Sequence, residues 1–97
     1  MTVALMWEAR AAEGRGEELL AWARAQELAD RPLRRETFRA PGGTSQALEA
    51  LGEDRVLVIT WWDAEYGAEL PELPDPDEEL VARAVHRWRF ESVGAEA

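Results

Sequence analysis

Val3, Leu5 and Trp7 alternate with Thr2, Ala4, Met6 and Glu8, the two-residue period of a β-strand. The period then changes. Beyond two glycines the chain turns to Ala, Leu, Glu and Arg, all good helix formers, and Leu19, Trp22 and Ala23 fall on one helical face with Leu20 at its flank. Leu28 falls off that stripe and "DRPL" breaks the chain, so the helix is expected to end near there. In "RRETFRA", Glu36, Phe38 and Ala40 alternate with Arg35, Thr37 and Arg39, which predicts a polar second strand suited to a sheet edge. "PGGTSQALEALGED" supplies breakers and a short helical turn carrying Leu48 and Leu51, with Gly52 as its stop.

"RVLVITWW" is the strongest strand signal, because Val, Ile, Thr and Trp all suit a pleated surface. Leu57, Ile59 and Trp61 share one face of it, and Val56, Val58, Thr60 and Trp62 share the other. Both sets are apolar, so both faces of this sheet need cover. Pro71, Pro74 and Pro76 then exclude a long helix from the next segment, while "DPDE" reads as a capping box that opens a short second helix at Asp75 and Pro76. "VHRWRFESV" closes as a fourth strand with His86, Trp88 and Phe90 on one face and Arg87, Arg89 and Glu91 on the other. Strand, helix, strand, strand, helix, strand is a split βαβ pattern. It predicts an α+β, ferredoxin-like domain spanning residues 1–97, with a four-stranded antiparallel sheet and both helices on one face. Two such sheets back to back would cover the bare face.

Composition removes many chemistries. At 97 residues the chain is one small domain able to bury roughly two thirds of its unfolded surface. No apolar run approaches the ~20 residues of a membrane span, and "MTVALMWEAR" lacks the features of a secretory signal, so a cytoplasmic protein is expected. A net charge of −9, with its eleven cations scattered, disfavours a nucleic-acid partner. The chain has no Cys, Lys or Asn and a single His. Thiolate nucleophiles, disulfides, Schiff bases and multi-histidine metal sites are thereby excluded. Ser45 and Ser92 lack the glycine-flanked elbow of an α/β hydrolase, and "GRG" at Gly14 to Gly16 reads as a turn, not a phosphate loop. "DPDEE" lacks the central glycine and distant acid of a calcium loop, so no metal and no cofactor are expected.

The order of elements, the run "VLVITWWDAE" ending in Trp and an acid, and the aromatic, charged last strand "HRWRFESV" resemble the dimeric α/β-barrel superfamily, in particular its antibiotic-biosynthesis-monooxygenase-like branch. The likeness extends over residues 3–93. It implies a homodimer whose sheets face each other and a small-molecule cavity between sheet and helices in each protomer. Trp62 then looks like the family's strand-end tryptophan at that cavity. Parity adds Trp7, Trp88 and His86 to the same side, with Trp22 looking down from the first helix. The haem-degrading branch uses a first-strand Asn and a second-helix His. Here Trp7 stands in the first strand and His86 in the fourth, so haem chemistry is not carried over.

The resemblance implies cofactor-independent oxygenation of an aromatic or polyketide-like molecule. Trp7, Trp22, Trp62 and Trp88 would form the substrate wall and His86 the base, since an imidazole can take a proton from a phenolic or enolic substrate. The same four rings also suit plain core packing, each removing ~150–250 Å² from water. The alternative function is a non-catalytic ligand-binding or accessory dimer of the same fold, and a third is a structural module whose side chains fill the cavity. Arg87, Arg89 and Glu91 are expected to form a solvated or dimer-facing charged row.

Overall fold

The computed structural model describes residues 1–42 and 53–96. Strand β1 (Thr2–Arg10) leads through a turn into helix α1 (Gly16–Ala25), then β2 (Arg34–Ala40), β3 (Arg55–Asp63) and β4 (His86–Glu91). The strands form one sheet in the order β2-β3-β1-β4, with every neighbouring pair antiparallel. Among the described residues this is an α+β arrangement of a four-stranded antiparallel sheet and one α-helix. The polar strand β2 is at an edge, as its sequence predicts. The turn around Leu48 and Leu51 lies outside the described residues.

Register decides which residues share a face. Directly paired residues project to the same side, and the pairs Val3–Trp62, Leu5–Thr60, Trp7–Val58 and Ala9–Val56 set the inner face of β1 and β3. Helix α1 packs there. Its Leu19 and Ala23 join Trp7, Ala9, Val56 and Val58 in one core cluster, and Leu28 beyond the helix touches both this cluster and a second one of Val3, Leu5 and Trp62. Leu19, Val3, Val56 and Val58 are the largest fully buried side chains, each contributing about 1.5–3 kcal/mol of transfer free energy before entropy is subtracted.

The ends of α1 are closed by charge. Gly14 takes a φ of 73°, which only a residue without Cβ adopts freely, and the Arg15 amide bonds back to the Ala12 carbonyl to make the predicted turn. Glu17 and Glu18 occupy the first turn, where the helix dipole favours acids. The Arg15 guanidinium donates to both oxygens of Glu18 at 2.9 and 2.8 Å, and that hydrogen bond holds the Glu18 carboxyl below the usual range. At the other end Arg35 of β2 donates to the carbonyls of Gln26 and Ala23 at 2.6 and 2.8 Å, satisfying groups that the helix leaves open.

The second helix does not form. Residues 64–77 are irregular, and only a three-residue 3₁₀ turn, Glu78–Leu80, follows. The expected cap at Asp75 is absent because its carboxylate binds Arg87 at 2.7 Å, and Asp77, which does precede the turn, makes no side-chain capping bond. The prolines at 71, 74 and 76 keep the segment before the turn irregular, and the turn itself goes no further because Val81 bridges to Ala11 at once. Leu73 and Leu80 nonetheless enter the core cluster with α1, so this strap covers part of the face that a second helix was expected to cover.

Candidate functional site

On the inner face the sheet and helix bring Trp7 and Trp22 together. Their rings stack at 5.9 Å and 25°. Trp62 lies on the same face, paired with Val3 and therefore further along β1, and its indole N–H donates to the Thr60 hydroxyl at 2.9 Å. Between Trp7 and Thr60 is a void of about 10 Å³, lined also by Leu5, Val58 and Leu73 and too small for any organic ligand. The Trp7 indole N–H is fully buried and has no acceptor among the described residues.

His86 and Trp88 are not part of this wall. The register pairs Trp7 with Arg87, Met6 with Trp88 and Glu8 with His86, so both residues project from the opposite face. A one-residue difference in register exchanges the faces of a whole strand, and parity counted along one strand cannot supply the register. Arg87, Arg89 and Glu91 therefore take the Trp7 side of the sheet. Arg87 donates to the Leu73 carbonyl at 2.7 Å and Arg89 to the carbonyls of Tyr66 and Ala68 at 2.6 and 2.7 Å. These arginines hold the strap, and Arg87 and Glu91 stay exposed as a solvated row would, with Arg89 half-buried.

The opposite face is open and apolar at its centre. Leu57, Ile59 and Trp61 of β3 lie beside Met6 of β1 and Phe38 of β2, and Trp88 and Phe90 of β4 extend the patch to the other edge. Trp88 and Phe90 are 45% and 52% exposed, well beyond what two isolated core residues would be. Arg34 places its guanidinium 5.3 Å from the centre of the Trp61 ring, one cation–π contact at the rim.

At one end of this face Glu8 is buried despite its charge. Arg83 donates to both of its oxygens at 2.7 and 2.9 Å, and His86 Nδ1 stands 3.6 Å from the nearer one. The imidazole also meets Trp88 edge to face at 5.5 Å. Glu8 and Arg83 are the residues that sequence reasoning missed. The available signal was an acid in an otherwise apolar strand, but its arginine partner is 75 positions away. A cleft of about 230 Å³ opens beside it, walled by Phe38, Leu57 and Arg55.

Comparison with protein-family models, with curated proteins and with solved structures found no match to this chain. Its own geometry therefore has to carry the functional reading. Among the described residues, no three His, Asp or Glu side chains gather as metal ligands, and no helix is long and apolar enough to cross a membrane.

Proposed function

We infer that the chain is a ligand-binding or accessory homodimer of the ferredoxin-like, dimeric α/β-barrel type, its two copies meeting through their open sheet faces. The carrying observation is that β3 is apolar on both sides while helix and strap cover only one. Monomeric proteins rarely leave a continuous apolar patch of this kind in water. A second copy laid on Ile59, Trp61, Trp88 and Phe90 would remove it, and the exposed charges at the margins would form the polar rim that interfaces carry. The ligand end of this reading is the inner wall of Trp7, Trp22 and Thr60, where a buried N–H without an acceptor lies among apolar side chains.

Catalysis is the second reading, favoured by Glu8 standing next to His86, the one imidazole of the chain. An oxygenase acting on an aromatic substrate would then use His86 as base on the open face, separated by the sheet from Trp7 and Trp22. Oxygen uptake with hydroxyaromatic compounds tests it. Uptake that is abolished by His86→Gln supports the oxygenase. Saturable quenching of tryptophan fluorescence by the same compounds, with no oxygen consumed, supports the binding protein.

A further inference from the structure

Leu73 fills a recess on the inner face. It is 3% exposed, packs in the cluster of Trp7 and Val58, and bounds the void between Trp7 and Thr60. Its own chain segment is weakly tied to the rest of the fold. Among the described residues no backbone-to-backbone hydrogen bond joins residues 69–76 to any strand or helix, and Pro71 and Pro74 on either side of Glu72 and Leu73 have no N–H to offer. The attachment is made by side chains: Arg87 to the Leu73 carbonyl and to Asp75, and Arg89 to the carbonyls just upstream. Leu73 can therefore leave without breaking any rung of the sheet.

We propose that Leu73 is a displaceable plug, and that the strap carrying it is the lid of a site for a small flat ring bearing one acceptor oxygen. This deepens the ligand-binding reading given above and rests on it. The chemistry follows from the walls. Val58, Leu5 and the Trp7 ring offer apolar surface, Glu72 also lines the void, and two of the lining residues carry donors: the Trp7 N–H, buried without an acceptor among the described residues, and the Thr60 hydroxyl, which accepts from Trp62 and still has its own hydrogen to give. A hydrocarbon entering in place of Leu73 would leave both donors unanswered, whereas a phenolic or carbonyl oxygen would meet one of them. Buried polar groups discriminate strongly against ligands that leave them unpaired.

The test is calorimetric titration of the full-length chain with p-cresol and with toluene. Leu73→Ala should bind p-cresol at least tenfold more tightly than the unaltered chain does, and should prefer it to toluene. Adding Trp7→Phe should remove most of that preference. Should Leu73→Ala fail to fold, Arg87→Met keeps an aliphatic stem beside Trp7 while removing the hydrogen bonds that hold the strap, and it should raise p-cresol affinity at least threefold. Equal, measurable affinity in the unaltered and altered chains overturns the plug and leaves the ligand site standing. Absence of binding in all of them overturns both.

Discussion

Trp7 and Trp62 share one face of one sheet and are about equally buried, but Trp7 stacks on Trp22 and the two differ in the fate of the indole N–H. That of Trp62 is bonded to Thr60 and that of Trp7 is not. Phe in place of either keeps an aromatic ring for packing and removes the N–H, so the hydrogen bond is the main difference expected between the two. Trp62→Phe should cost about 1 kcal/mol more than Trp7→Phe in urea denaturation. Leu19→Ala, at a fully buried position, should cost about 2–5 kcal/mol in the same assay. Glu18 supplies a pH prediction. Its carboxyl is lowered by Arg15, so the contribution is present above the value of an unfolded glutamate and is lost as pH falls through the lower folded value. A carbon-detected NMR titration should find the Glu18 midpoint below that of a glutamate in a peptide, and Arg15→Ala should restore it. At this scale the sequence was readable where the period was local: Leu19, Ala23 and the even residues of β3 are buried as their spacing implies. Glu8 was not, because its partner comes from the far end of the chain.

Arginine does work in these elements that capping residues do elsewhere. Helix α1 ends on Arg35, and the strap hangs from Arg87 and Arg89. Arg35→Met should destabilise the fold by about 1.5–3 kcal/mol, since two partly buried carbonyls lose a charged donor. Arg89→Met should leave the sheet intact while limited proteolysis between Tyr66 and Ala68 becomes faster. Unchanged cleavage would mean that the apolar contacts of the strap suffice without its anchors. All four strands and the first helix are legible in the sequence, because each has its own period and its own breakers. The second helix was misread for a physical reason. A capping pattern states only that a helix can start; here the Asp75 carboxylate is held by Arg87 and not by a backbone N–H, and Val81 is drawn into a bridge with Ala11 directly after the 3₁₀ turn.

For the molecule as a whole, the strand order follows from the split βαβ pattern, but the facing of β4 does not. Only cross-strand register reveals that His86 and Trp88 look away from Trp7, and that moves the lone imidazole from the inner wall to the open sheet. The consequence is a division of labour between faces: donors and stacked rings inside, a broad apolar surface with a buried Glu8–Arg83 pair outside. Covering that surface with a second copy is the central claim. Ile59 lies at its middle, paired with Met6 on one side and Glu36 on the other, and contributes nothing to the inner core. Sedimentation equilibrium of the full-length chain and of Ile59→Asp at micromolar concentration tests the claim most directly. The expected result is twice the chain mass for the unaltered protein and the single chain mass for a folded Ile59→Asp. A single chain mass for the unaltered, folded protein throughout that range would contradict it.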